Sequence, residues 1–306
     1  MLRIATRRSA LARAQAFQTG RLFQRRTGRE FTLIPLASSG DLSPDRPVGS
    51  FDVKGMFVDT IRAAVQQGEA DVAIHSYKDL PTESVPGLTL AAVPEREDPR
   101  DVLISRDGHA FSTLPPMATV GTSSERRKLQ LLRVKPGLQV LPLRGNLDTR
   151  LRKVAAGEFD AVVIAMAGLR RLYVPPEAGG VGALDLPLTA APLEPGEMLP
   201  AAGQGALAVE CRTDDQDVRE ACRAVDHVPT HRMVRAERAF LSALGGGCLA
   251  AVGALCSVTA EGGLELAGMV GDPARRRLVR QTRRGSYGDP EALGAALADE
   301  LLTALG

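Results

Sequence analysis

The 306-residue sequence is poor in histidine and cysteine, with four residues of each. None of the cysteines has the C-x-x-C spacing of a zinc site, and a chain of this length needs no disulfides to stabilise its core. These shortages argue against a metal centre. They also predict a protein of the reducing cytoplasm, because disulfide-dependent proteins are typical of oxidising compartments.

Long apolar runs and strong net charge are also missing. No stretch of 18 apolar residues exists, so no membrane-spanning segment is expected. The net charge of +2 is far below the basic excess typical of nucleic-acid-binding proteins. What the chain does have is arginine, since only five of its 38 basic residues are lysines. Arginine is the side chain best suited to binding carboxylates through two hydrogen bonds.

Strand and helix patterns alternate through the first two thirds of the chain, which predicts largely parallel sheets. Strands are predicted at 2–5, 31–36, 71–74, 88–93, 118–121, 138–143 and 159–165. Helices are predicted at 11–25 and 57–65, from 122 to 132, and from Asp148 or Thr149 onward. The apolar run Ala206–Val209 is predicted to return to the first sheet.

Three stretches are predicted to be irregular or hinge-like. Asp41 to Gly55 is rich in proline and glycine and is expected to be a lid or a disordered loop. Pro94 to Asp101 is a candidate hinge, and Val174 to Leu199 is expected to lack regular structure. Beyond Thr213 the pattern predicts a helix at 234–244, a small antiparallel sheet from strands at 252–259, 264–270 and 277–283, and a last helix capped by Asp289.

Polar residues that include Lys78 and Asp79 follow the apolar segment Asp71–Ile74, and Pro81 ends any regular continuation. They therefore stand at the carboxyl end of a predicted strand, where open α/β sheets bind ligands. An aspartate beside a lysine in such a position can act as a tuned acid or base. The alternative is a polar turn, which this stretch taken alone favours.

Basic residues recur where other predicted strands end. Arg7 precedes Ser9 at the start of the first helix, and hydroxyls at Thr122–Ser124 precede another basic pair; helix starts of this kind favour anions. At the first place a solvated basic turn is an equally good interpretation, and at the second an ordinary capped helix with solvated arginines is. Several arginines at equivalent positions favour a site for carboxylates or phosphates: Arg126, Arg127, Arg144, Arg150 and Arg171.

Cys248 follows three glycines, Gly245–Gly247, and has two interpretations. It is either a small residue in a tight turn, the more frequent case, or an accessible thiol presented for covalent chemistry.

Together these segments resemble the porphobilinogen deaminase, or hydroxymethylbilane synthase, family. The blocks that carry the resemblance run in family order over the whole chain: Ala5-Thr6-Arg7, Ser9, Leu11-Ala12, Gln15, Lys54-Gly55, His75-Ser76, Lys78-Asp79, Pro81, Glu97 to Asp101, Gly121 to Ser124, Arg126-Arg127, Leu143 to Asn146, Thr149 to Leu151, Ala167 to Leu169, Arg171-Leu172, Gly203-Gln204-Gly205, Ala236-Glu237-Arg238 and Gly246-Gly247-Cys248.

The resemblance implies an α/β fold with two periplasmic-binding-protein-like lobes, each a doubly wound mixed sheet, and a small α+β C-terminal domain with a three-stranded antiparallel sheet. The implied boundaries are 1–95 with 200–212, 99–197 and 214–306. It implies a transferase of heme biosynthesis that condenses four porphobilinogens into hydroxymethylbilane and releases ammonia. A monomer is expected because the sequence shows no coiled coil or long apolar surface stripe. The implied cofactor is a dipyrromethane, joined to Cys248 by a thioether, on which the product grows.

By matching position, the resemblance makes Asp79 the catalytic carboxylate. It assigns to cofactor binding Cys248, Lys78, Asp79, Ser123, Arg126, Arg127, Arg144 and Gly145. It assigns to substrate binding Arg7, Ser9, Gln15, Arg144, Arg150 and Arg171. The chemistry agrees, because a growing chain of pyrroles carries many carboxylates, and burying them requires cations.

This chain departs from the family pattern at Tyr77, Glu125, Gly245 and Leu249–Ala251, and its segment Pro175–Glu197 is long. None of these changes removes a catalytic group. A non-enzymatic anion-binding protein is the competing class, but it would explain neither Cys248 nor a third domain. A family member without activity is also compatible with the sequence.

Overall fold

The computed structural model describes residues 1–37, 51–173, 186–245 and 251–305, with the backbone alone for 51–57. Within these ranges, no helix combines the length and apolar character needed to cross a membrane. The chain forms two compact units, Met1–Glu97 with Ala206–Arg232 and Asp98–Gly205 with Met233–Gly306. The predicted division into three domains stays a prediction.

The described residues form the following elements in chain order: β1 (Leu2–Arg7), α1 (Ala10–Thr27), β2 (Phe31–Leu36), α2 (Phe51–Gln66), β3 (Val72–Ser76), β4 (Leu88–Ala92), β5 (Asp101–Ser105), β6 (Thr119–Gly121), α3 (Glu125–Val134), β7 (Gln139–Leu141), α4 (Leu147–Ala155), β8 (Ala161–Ala165), α5 (Met166–Leu172), β9 (Thr189–Leu193), β10 (Leu207–Arg212), α6 (Gln216–Val225), α7 (Val228–Ala243), β11 (Ala251–Val258), β12 (Leu264–Asp272), β13 (Arg277–Gly285) and α8 (Pro290–Leu305). A single 3₁₀ turn, Tyr77–Asp79, follows β3.

The sheet of the first unit has the strand order β2-β1-β3-β10-β4. β1 pairs in parallel with β2 and β3, whereas β10 is antiparallel to both β3 and β4. The predicted return of Ala206–Val209 to the first sheet is therefore confirmed. The core on one face includes Ile4, Phe23, Ile74 and Val209.

The five-stranded sheet of the second unit has the order β7-β6-β8-β5-β9, which repeats the topology of the first sheet. Its fourth strand, β5, is antiparallel to β8 and β9, just as β10 is antiparallel to its neighbours. In the first sheet this reversed strand comes last along the chain, and in the second it comes first. Two mixed sheets of one topology confirm the predicted α/β class.

The second unit also contains a three-stranded antiparallel sheet, β11-β12-β13, which confirms the predicted small antiparallel sheet. Helices α7 and α8 cover it through a core that includes Phe240, Leu266 and Leu297. Asp289 caps α8, because its Oδ1 accepts a hydrogen bond from the Ala292 amide at 3.1 Å. This confirms the predicted start of the last helix.

Several predicted boundaries were wrong. Residues 51–55 of the predicted loop belong to α2, while 41–50 lie outside the described residues. The stretch predicted to be irregular contains β9, with 174–185 outside the described part. Helix α4 begins earlier than predicted, because the Asn146 side chain accepts a hydrogen bond from the Thr149 amide and caps it. Helix α7 also begins earlier, at Val228, and α6 was not predicted.

Candidate active site

A cavity of about 100 Å³ lies in the first unit, at the carboxyl ends of the parallel strands β1 and β3. Parallel strands place their carboxyl ends at one edge of a sheet, so the residues that follow them converge there. Four predicted site residues line this cavity: Arg7, Ser9, Gln15 and Asp79. Sequence segments up to 72 residues apart are thus brought together by the sheet order.

The start of α1 forms one wall of the cavity. Ser9 is its N-cap, with its hydroxyl accepting a hydrogen bond from the Ala12 amide at 3.3 Å. The first turn of α1 contains no acidic residue. Amide groups and the helix dipole therefore favour an anion near Arg7 at this end of the cavity.

Gln15 joins α1 to the end of β3. It is 5% exposed, and its Nε2 donates a hydrogen bond to Ser76 Oγ at 2.9 Å. This contact fixes the spacing between the helix and the strand end from which the Asp79 turn begins. Sequence analysis assigned substrate binding to Gln15 but no role to Ser76, its partner in the cavity lining.

Asp79 is exposed in the 3₁₀ turn that follows β3. The Tyr77 amide donates a hydrogen bond to the Ala206 carbonyl at 3.0 Å, so the turn is tied to the chain just before β10. In the described part of the chain, the Asp79 carboxylate makes no ion pair. It lines the same cavity as Arg7 and Ser9, at the start of α1. Lys78 precedes it and is half-buried.

A buried ion-pair network lies behind the cavity. Arg62 donates hydrogen bonds from Nε and Nη2 to the two carboxylate oxygens of Glu210, at 2.8 and 2.7 Å. His75 Nε2 lies 3.2 Å from Glu210 Oε2, and His75 itself lines the cavity. Burial alone would raise the pKa of Glu210, but hydrogen bonds from Arg62 and the proximity of His75 lower it to about 2.

The second unit contains a cluster of buried arginines. Arg126 donates from Nη1 to Asp101 Oδ2 at 2.7 Å, and Arg127 donates from Nη2 to Asp101 Oδ1 at 2.8 Å. Gln204 Nε2 donates to the same Oδ1 at 2.9 Å. Burial opposes the ionised form of the fully buried Asp101, yet the two guanidinium groups hold its pKa well below the usual range.

This cluster carries more positive than negative charge. Asp101 neutralises only one of the two guanidinium groups of Arg126 and Arg127. The pKa of Arg150 is lowered by burial and, in addition, by the charge of Arg127. Buried unbalanced cations are unfavourable, so the arrangement suits a ligand rich in carboxylates.

The loop after β7 carries more of the predicted residues. Ser123 Oγ donates to the Leu143 carbonyl at 3.0 Å and accepts from the Leu143 amide at 3.1 Å. Gly145 has φ of +106°, a conformation that favours glycine, and its carbonyl accepts a hydrogen bond from Arg150 Nε at 2.9 Å. Arg144, between these anchors, is exposed. The hydrogen bonds of Leu143 and Gly145 on either side therefore fix the position of the Arg144 backbone.

Arg171 lies at the end of α5, where its Nη2 donates to the Gly205 carbonyl at 2.7 Å. Cys248, the predicted attachment point, lies outside the described residues.

The structure adds three buried polar residues that sequence analysis did not assign to a role: His75, Asp101 and Gln204. All three belong to sequence blocks that carry the family resemblance. The resemblance therefore marked their positions, but the sequence did not show which side chains they contact.

Family models match nearly the whole chain. Residues 2–220 match "Porphobilinogen deaminase, dipyromethane cofactor binding domain", and residues 231–303 match "Porphobilinogen deaminase, C-terminal domain". The porphobilinogen deaminase of Roseiflexus sp. (strain RS-1) is 43% identical over 301 residues, covering 98% of this chain and 95% of that relative. That of Thermus thermophilus is 44% identical over 300 residues, covering 98% and 94%.

Proposed function

Because the chain belongs to the porphobilinogen deaminase family, we propose that Asp79 is the acid/base carboxylate with which it condenses porphobilinogen. The enzyme joins four porphobilinogens head to tail into hydroxymethylbilane, in tetrapyrrole biosynthesis. One observation carries the assignment of Asp79. Its exposed carboxylate shares a cavity with Arg7 and the N-terminus of α1, which suit the carboxylates of the substrate.

Each condensation forms a carbon–carbon bond between a pyrrole carbon and the methylene carbon of the incoming porphobilinogen. The amino group of that substrate leaves as ammonia, and a proton then leaves the pyrrole carbon. In our proposal, the Asp79 carboxylate stabilises the positive charge that remains on the substrate when ammonia departs, and it then accepts the proton. Arg7, Ser9 and Gln15 bind the substrate through its acetate and propionate groups.

The first matching family model is the dipyrromethane cofactor binding domain, so the cofactor of this enzyme is a dipyrromethane. When bound, it supplies the pyrrole carbon at which the product chain begins. The excess positive charge around Asp101 fits a group of this kind, which carries several carboxylates.

We propose Cys248 as the site of covalent attachment through a thioether. We further propose that the cofactor is held by Lys78, Ser123, Arg126, Arg127, Arg144 and Gly145. In the same proposal, Arg150 and Arg171 join Arg144 in binding the substrate. Each of these arginine side chains supplies hydrogen bonds worth about 1.5–3 kcal/mol to a carboxylate.

Intact mass spectrometry tests the attachment. The purified protein should be heavier than its chain by two condensed pyrrole units, and Cys248→Ser should lack this increment. An increment that persists in the variant would place the cofactor on another residue.

Asp79→Asn tests the acid/base role. The variant should keep the cofactor mass, while turnover falls by a factor of about 100 or more, since acid/base groups contribute about 10²–10⁴-fold. Asp217→Asn is the matched control, because Asp217 is an exposed carboxylate of the same unit and pairs with Arg29 at 2.5 Å. Unchanged turnover in Asp79→Asn would remove Asp79 from its role.

We also propose that the enzyme is a cytoplasmic monomer that takes a small-molecule substrate and binds neither nucleic acid nor membranes. The small net charge of +2 supports the absence of nucleic-acid binding. Light scattering of the eluted protein should give the 32.4 kDa mass of one chain, and twice that mass would contradict the proposal.

A further inference from the structure

The register of β3 against β10 creates the network behind the cavity. Glu210 lies directly opposite Ala73 in this antiparallel pair, and His75 stands two residues further along β3 on the same face. The small Ala73 side chain leaves room for the Glu210 carboxylate to contact both His75 and, from α2, Arg62. Three polar side chains from three elements therefore meet inside an otherwise apolar layer.

This network is almost closed to solvent, with side-chain exposures of 5% for Arg62, 6% for Glu210 and 6% for His75. Such a group is stable only when its charges are paired, and the bidentate contact of Arg62 with Glu210 provides that pairing. His75 is not needed for this balance. It is, however, the member of the network that also lines the cavity.

His75 stands four residues before Asp79, and both line the same cavity. Nε2 of His75 is buried and lies 3.2 Å from Glu210 Oε2, although the alignment of the two groups is not that of a hydrogen bond. One edge of the ring is therefore in contact with Glu210, and His75 belongs to the same cavity lining as Ser76 and Asp79.

We propose that His75 is a positioning residue for Asp79, anchored through its Nε2 by the Glu210–Arg62 pair. This inference rests on the proposed role of Asp79. Substrate carboxylates are bound elsewhere in the cavity, so a displaced Asp79 should slow the proton transfers without weakening substrate binding. Misplacing a reacting group by about 1 Å can cost up to about 100-fold in rate.

The test compares two amide replacements of His75 in the complete enzyme. The amide nitrogen of His75→Gln can reach the position of Nε2 and contact Glu210, whereas that of His75→Asn can reach only the position of Nδ1. We expect kcat to fall about tenfold in His75→Asn and to stay within about threefold of the parent in His75→Gln, with KM unchanged in both.

The matched control is His231→Asn, because His231 also pairs with a carboxylate in the first unit, at 2.8 Å from Asp226, but does not line the cavity. Its kcat should stay at the parent value. Melting temperatures and intact masses of all variants show that they are folded and carry the cofactor. If His75 had only a structural role, both substitutions would lower the melting temperature, and His75→Gln and His75→Asn would have the same kcat.

Equal kcat in the Gln and Asn variants, or a change confined to KM, would overturn the proposal. If His75→Asn does not fold, the result for His75→Gln decides, and a tenfold loss there would contradict the proposal. Measuring Asp79→Asn in parallel separates the two hypotheses. An active Asp79→Asn refutes the proposed acid/base role, whereas an inactive Asp79→Asn beside indistinguishable His75 variants refutes only the positioning role.

Discussion

Replacing Glu210 with glutamine should destabilise the first unit in a pH-dependent way. The substitution keeps the size of the side chain and removes its charge. Arg62 then keeps a buried guanidinium, 4% exposed, without its carboxylate partner. Leaving one member of a buried ion pair unpaired costs about 3–5 kcal/mol.

The pKa of Glu210 gives a second, independent magnitude. A folded-state pKa of about 2, against an ordinary value of 4.5, corresponds to about 3 kcal/mol of stability at neutral pH. Because the folded-state pKa is the lower one, this stability is complete above about pH 4.5 and is lost as the pH falls towards 2. At pH 3, about 1 kcal/mol of it remains in the parent protein.

The assay is urea unfolding followed by far-ultraviolet circular dichroism, since the chain contains no tryptophan to report by fluorescence. The free energy of unfolding of Glu210→Gln should lie about 3–5 kcal/mol below the parent at pH 7. That difference should shrink by about 2 kcal/mol at pH 3, because the parent itself then becomes partly protonated.

Glu220→Gln serves as the control. Glu220 pairs with Arg223 on α6 of the same unit, but both side chains are largely exposed, at 72% and 65%. Exposed pairs of this kind contribute about 0–1 kcal/mol. A Glu210→Gln difference no larger than that of the control, or one that stays constant between pH 7 and pH 3, would refute the reasoning.

Two further substitutions probe the second unit. Asp101→Asn leaves Arg126 and Arg127 buried without their shared carboxylate, so stability should fall by about 3–5 kcal/mol, and an unchanged melting temperature would contradict this. In Gly294→Ala, the added Cβ would lie 2.3 Å from the Ala236 carbonyl oxygen on α7. The melting temperature should therefore fall, although alanine favours helices by about 1 kcal/mol. Gly196→Ala, which meets open space, should leave it unchanged.

The sequence predicted the elements whose signals are local. Ser9 and Asp289 cap helices within three residues of themselves, and alternating strand and helix patterns predicted the parallel strands of both sheets. The reversed strand β5 was not predicted, because its first residue was interpreted as part of a hinge. Strand β9 was missed because Pro192 argues against regular structure. It is accommodated because β9 is an edge strand that pairs only with β5.

The candidate site likewise combines features that are encoded locally along the chain with contacts that depend on distant segments. Arg7 and Asp79 were each predicted to follow a strand, and because parallel strands align their carboxyl ends, the sheet brings the two into one cavity. The partner of Arg126 was not predicted, because Asp101 stands 25 residues earlier in a stretch interpreted as a hinge. Pairings such as His75 with Glu210 depend on strand register over more than 100 residues, and no pattern along the chain encodes them.

The placement of β10 sets an order on synthesis at the ribosome. Strand β4 has β10 as its sheet neighbour, yet Leu207–Arg212 are translated only after all five strands of the second sheet. Until β10 has been synthesised, the backbone groups of β4 that pair with it lack their partner in the sheet. The sheet of the second unit can therefore form completely before the sheet of the first unit. The N-terminal part of the chain reaches its final fold only after β10 has been synthesised.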